Sequence, residues 1–213
     1  MRFTLIRSIL AILIAVSFAR SVSADYPKPS PYLIAWQLKF QHEKPKRIVL
    51  EVPGRSTPVA YWYITYTVTN NTDQERTFLP VFEMLTKDGQ VIRSDKNIPK
   101  NVFDTIKERE KKQFLEPWTK IGGELLLGED QAKDGVAIWE EPMLRMGKFS
   151  IFVGGLSGEH VQMKDDAGNV MKDKDGNPLI LRKTLELQYH IRGDEVYPGE
   201  DEVDKEPEQW VMR

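Results

Sequence analysis

Residues 61–72 read Tyr-Trp-Tyr-Ile-Thr-Tyr-Thr-Val-Thr-Asn-Asn-Thr. A strand sends successive side chains to opposite faces. Trp62, Ile64, Tyr66 and Val68 therefore share one bulky, apolar face, while Tyr61, Tyr63, Thr65, Thr67 and Thr69 share the other. The even set is expected to face a core and the odd set a half-wetted sheet surface, which suits Thr and Tyr. Asn70-Asn71-Thr72-Asp73 should end the strand, because Asn and Asp tolerate left-handed backbone and bond their own main chain. Asn70-Asn71-Thr72 is formally a glycosylation sequon and reads here as part of the turn.

The same alternation recurs along the chain. Trp36–Phe40 and Ile48–Val52 are joined by a polar link holding Pro45, which predicts a hairpin. Thr77–Leu85 reads as one strand, and Asp88-Gly89 reverses it tightly into Val91-Ile92. Gly135–Trp139, Phe149–Val153 and Leu179–Ile191 follow, with turn clusters at Asp165–Asn169 and Asp173–Asn177 around a small ribbon. A single helix is expected from Pro99, where a missing N–H costs little, with Val102, Phe103 and Ile106 as its apolar stripe. Glu108 and Lys112 stand at i,i+4 near its end. Seven or more short strands with little helix predict a mainly β fold, an antiparallel sandwich with one inserted helix. Trp36, Trp62 and Trp139 are its expected core plugs.

The two ends differ from this middle. Arg2 and Arg7 flank an apolar run, Ser8–Ala19, and Val22-Ser23-Ala24 offers small residues before Asp25. That is the pattern of a secretory signal peptide over residues 1–24, cut between Ala24 and Asp25. The apolar run is too short to span a bilayer, and no later segment is apolar enough. Export to the periplasm or the extracellular space is the expectation. Cleavage would leave 189 of the 213 residues and take away three arginines and no acid, moving the formal charge from −2 to −5. An acidic chain is poorly suited to nucleic acid or an anionic membrane surface. Cysteine is absent, which excludes disulfide scaffolds, thiol enzymes and thiolate metal sites. Residues 25–32, with three prolines, read as an extended leader. Residues 33–192 hold the sandwich, and 193–213 read as an acidic tail whose apolar close, Trp210-Val211-Met212, should dock back on the domain.

Tyr66–Thr72, then Phe78-Leu79-Pro80 and Asp88-Gly89, resemble the V-x-N-x-[ST] corner of exported bacterial immunoglobulin-like domains. Leu127-Gly128-Glu129 followed by Gly135-Val136-Ala137-Ile138-Trp139 is similar to a later strand of the same group, whose aromatic residue plugs the core. The resemblance covers roughly Leu33 to Ile191 and implies an immunoglobulin-like sandwich. It transfers no site residue.

Chemical motifs are sparse. His42, His160 and His190 are far apart in sequence and read as solvated, with His190 pointing outward. Gly155-Leu156-Ser157-Gly158-Glu159 approaches a nucleophile elbow but has Glu159 where glycine is needed and no helix after it. Asp173-Lys174-Asp175-Gly176-Asn177 lacks the spacing of a calcium loop and reads as a β-turn. No catalytic residue, metal ligand or cofactor motif is expected. Tyr61 and Tyr63 are the candidate binding residues: an open face would make them a flat patch for a glycan or an envelope protein, whereas a covered one would make them a second layer. The expected function is a non-catalytic binding or structural module. Its rivals are a polymer-directed hydrolase whose acid pair meets only in the fold and a carbohydrate-binding module using the two tyrosines.

Overall fold

A computed structural model describes residues 26–191 and 203–213. The expected signal segment with its Ala24–Asp25 junction, and the part of the acidic tail before Val203, lie outside the described residues. In chain order the elements are β1 (Lys39–His42), β2 (Lys46–Leu50), β3 (Val59–Asn70), β4 (Arg76–Phe78), β5 (Val81–Thr86), β6 (Val91–Arg93) and α1 (Lys100–Glu110). Then come β7 (Leu115–Glu116), α2 (Trp118–Ile121), β8 (Gly123–Leu125), β9 (Gly128–Glu140), β10 (Lys148–Gly154), β11 (His160–Gln162), β12 (Ile180–Ile191), β13 (Val203–Lys205) and β14 (Gln209–Met212).

The fold is mainly β, and two sheets stack. One runs β1-β3-β9-β7, with β2 also on β3; the other runs β11-β12-β10-β5-β6, with β13 and β14 also on β12. Between them lie Trp62, Ile64, Tyr66 and Val68 of β3 and Trp139 of β9, facing Phe82 and Met84 of β5, Phe149, Ile151 and Val153 of β10, and Leu185, Leu187 and Tyr189 of β12. This is the expected even face. The buried indoles are satisfied: Trp62 Nε1–H donates to Glu141 and Trp139 Nε1–H to the Ile92 carbonyl. Asn70 is buried at the corner, its amide donating to the Gln74 and Leu125 carbonyls while its oxygen accepts from Thr72.

Several expectations change. The odd face of β3 is not half-wetted, because α1 packs across it and buries Tyr61 and Tyr63, while Lys112, just past the helix, donates to the buried Thr65 hydroxyl. β1 and β2 make no hairpin. They lie end to end along one edge of β3, pairing with Tyr66–Thr69 and Val59–Tyr63. The 12-residue β3 is long enough to hold both, and Pro45, lacking an N–H, falls in the gap. The strand expected at Thr77–Leu85 breaks at Leu79-Pro80, so that β4 joins β8 and β5 joins the second sheet. A second short helix, α2, follows Pro117. Trp36 is only half buried. Its ring lies over Gly158, where an added Cβ would come within 3.0 Å of three indole atoms.

Past β11 the chain makes two tight turns that share one construction. Asp165 Oδ1 accepts from Ala167 N–H and Asn169 N–H, and Asp173 Oδ1 accepts from Asp175 N–H and Asn177 N–H. Gly168 and Gly176 both sit at φ +84°, which glycine alone adopts freely. An eight-residue repeat underlies this: Met163-Lys-Asp-x-x-Gly-Asn and Met171-Lys-Asp-x-x-Gly-Asn.

Candidate functional site

Tyr61 and Tyr63 are each 1% exposed and form no open patch. They lie under α1 in a second cluster with Val102 and Ile106 of the helix and Val136 and Ile138 of β9. The Tyr63 hydroxyl donates to Glu110 Oε1 at 2.6 Å, and Lys46 Nζ meets the other Glu110 oxygen at 2.7 Å. Lys46 and Lys112 both reach Glu43, at 2.9 and 2.7 Å. The two tyrosines therefore anchor the helix, and the glycan patch has no surface there. Lys112 pairs with Glu43 rather than with Glu108. Tyr63→Phe removes a hydrogen bond to a charged group, so it should lower the unfolding free energy by about 1.5–3 kcal/mol in urea melts. An unchanged midpoint would refute the anchoring role.

His42 is not solvated, since its side chain is 3% exposed. Nε2 stands 2.9 Å from Glu208 Oε1, Nδ1 stands 2.8 Å from the Glu43 carbonyl, and the Tyr189 hydroxyl lies 3.3 Å from Nδ1. It ties β1 to the C-terminal strands. His160 is exposed against the Gly158 carbonyl, and His190 is half buried. Ser157 Oγ donates to the Trp36 carbonyl and accepts from Glu159 N–H, which occupies it structurally. Among the described residues no group of three or more His, Asp or Glu side chains gathers as a metal site. No helix among them is long and apolar enough to cross a membrane.

The concave surface lies elsewhere. A groove of about 930 Å³ runs over the β9 face between α1 and the β7–α2 segment. Its floor takes alternate residues of β9 (Asp130, Ala132, Asp134, Val136, Ile138), and Phe103 and Lys107 of α1 form one wall. Phe114 and Trp118 line the other side, 75% and 55% exposed. A second hollow of about 710 Å³, lined by Tyr66, Phe82 and Arg93, shares Asp95 and Trp118 with the first. Asp95 comes from the turn after β6. Its N–H donates to the Ile138 carbonyl at 2.7 Å, and Oδ1 accepts from Ile138 N–H at 3.2 Å, so it caps the free edge of β9. Burial pushes its carboxyl up to about 7, against the Ser94 hydroxyl and the Ile138 N–H, which favour the charged form.

The chain matches no protein-family model and no curated protein. Among solved structures it is similar to the yjhA protein from Bacillus subtilis, a structural-genomics crystal structure, at 17% identity and a TM-score of 0.37. That likeness covers 59% of this chain and 81% of the other.

Sequence reasoning passed over Asp95, Phe114, Glu116 and Trp118. One signal was present: Phe114-Leu115-Glu116-Pro117-Trp118 sets two aromatic rings beside a proline break, where a helix must end and its neighbours face solvent. Asp95 carries no such mark, since its role depends on a strand more than forty residues away.

Proposed function

We propose that this chain is a non-catalytic, exported binding module that takes an extended segment of an envelope protein into the groove between α1 and β7–α2. The observation that carries this reading is the pair of large rings left in solvent on one rim, Phe114 and Trp118. Such aromatics are enriched at the centres of protein interfaces, where they supply much of the binding energy. The volume is at the upper end for small-molecule sites and suits a few residues of peptide. The test is selection from a random-peptide display library on residues 26–213. Enriched peptides should bind Trp118→Ala and Phe114→Ala at least about tenfold more weakly, a loss of roughly 1.4 kcal/mol or more. Equal binding to both variants, or glycan-array binding in place of peptides, would overturn it.

A polymer-directed hydrolase remains as a second reading because of two residues. Asp95 lines the same groove as a second carboxylate, Glu116, and its burial raises it to about 7, where a general acid works best. Hydrolysis of envelope polysaccharide by the wild type, abolished in Asp95→Asn, would establish that reading in place of the first.

A further inference from the structure

The two hollows meet at a recess whose polar groups are unusual for a buried place. Tyr66 of β3 is paired with Gly135 of β9, and Gly135 with Glu116 of β7. Residues paired across strands share a face, and Gly135 leaves the space between the other two empty of side chain. A Cβ at residue 135 would come within 3.0 Å of Cε2, Cζ and Oη of Tyr66, so the ring lies across bare backbone toward the β7 edge. Phe82 and Phe40 hold that ring, at centroid distances of 4.7 and 5.4 Å. Tyr66 is 2% exposed, and its hydroxyl has no hydrogen-bond partner among the described residues. The hydroxyl is not itself sealed from solvent, so it opens toward the hollow with its lone pairs unused.

Two carboxylates flank it. Asp95, at φ +61°, is fixed from outside by Ile138 and Ser94, which are neutral donors. Glu116 is half buried, and its side chain makes no hydrogen bond among the described residues. Arg93 and Lys96 are exposed at the mouth, and neither pairs with either acid. Burial, then the charges of Asp95 and Glu116, raise the pKa of the Tyr66 hydroxyl.

We propose that this recess receives one alkylammonium group, the end of a lysine side chain in the segment bound along the groove. An ammonium has three N–H donors and no acceptor, and the Tyr66 hydroxyl with the Asp95 and Glu116 carboxylates supplies three acceptors. A guanidinium, a planar fork of five donors, matches three groups around one point less well. Trp118 lines both hollows and offers its ring to the methylene stem and the cation. This inference rests on the groove as the binding surface.

The test uses two small probes, Nα-acetyl-lysine methylamide and its norleucine analogue, titrated against residues 26–213 while the Trp118 indole resonance is followed by NMR. The lysine probe should shift it in the millimolar range and the norleucine probe should not. Asp95→Asn and Glu116→Gln should each weaken the lysine probe at least tenfold with the melting temperature retained. The Glu116 variant serves on its own if the other fails to fold. Affinity should rise from pH 6 to pH 8 as Asp95, which has Tyr66, Glu116, Arg93 and Lys96 around it, loses its proton, and Glu116→Gln should keep that pH dependence. Norleucine binding as well as lysine, or full affinity in Glu116→Gln, would overturn the proposal. Display-selected peptides that still bind and still require Phe114, while the lysine probe does not bind, would sink the recess and leave the groove. Loss of both would sink both.

Discussion

Lys183→Met should lower the unfolding free energy by about 3–5 kcal/mol, the usual cost of removing one partner from a buried ion pair. Lys183 Nζ lies 3.0 Å from Glu159 Oε2, with side chains 7% and 6% exposed. The Trp210 ring closes over the cation at 5.1 Å, and the Ser30 N–H donates to the other Glu159 oxygen at 2.6 Å. Without Lys183, the carboxylate stays buried with one neutral donor and no counter-charge. For a domain of this size, the loss corresponds to a melting temperature lower by roughly 6–20 °C. The double variant Lys183→Met, Glu159→Gln should lose less than the two single changes added together, because no lone charge remains. The pH dependence follows from the carboxyl. Burial pushes the Glu159 pKa up, but the Ser30 N–H and Lys183 outweigh it and hold it below the ordinary 4.5. The pair therefore contributes fully above that value and fades as pH falls below it. Urea unfolding at pH 7 and at pH 3.5 should show the gap between wild type and Lys183→Met shrinking at the lower pH. A loss under about 1 kcal/mol at pH 7 would place the pair among ordinary surface ion pairs.

This pair also marks where the sequence was readable and where it was not. The alternation in β3 was legible because side-chain direction has a period of two along any strand. What covers each face was not, because it depends on an element more than thirty residues away: Val102 and Ile106 of α1 meet Tyr61 and Tyr63 only in the fold. The same holds for the recess. Gly135 read as an ordinary strand residue until the register set it opposite Tyr66. Ser157 and Glu159 attracted notice as a broken elbow motif, yet their work is to seat Trp36 and balance Lys183. In the tail, acidic composition hid Val203, which joins the core, whereas the apolar close at Trp210-Val211-Met212 was legible and pairs with β12. His42 was misjudged for a related reason, as its acceptor Glu208 lies in that tail.

Removing residues 203–213 should leave a chain that no longer unfolds cooperatively at 25 °C. β14 pairs with Lys183–Glu186 and β13 with Tyr189–Ile191, so their loss strips one whole edge of β12. Val203 and Met212 belong to the buried set, and Trp210 packs against the core. Deleting a buried Met side chain costs about 2–5 kcal/mol, and the half-buried Trp210 adds a smaller loss. Losses of that size, taken with the uncovered Lys183–Glu159 pair and the lost His42–Glu208 contact, approach the 5–15 kcal/mol that holds a typical domain together. The bared edge of β12 is apolar on its inner face and free to pair with another chain, so soluble aggregates are expected by light scattering. A synthetic peptide of residues 203–213 should restore the near-UV circular dichroism of the shortened chain, because the edge it pairs with is otherwise intact. Trp210→Ala in the full chain should fall between the two. If the shortened chain melts at the full-length midpoint, the C-terminal strands only rest on the second sheet, and the core must close without them.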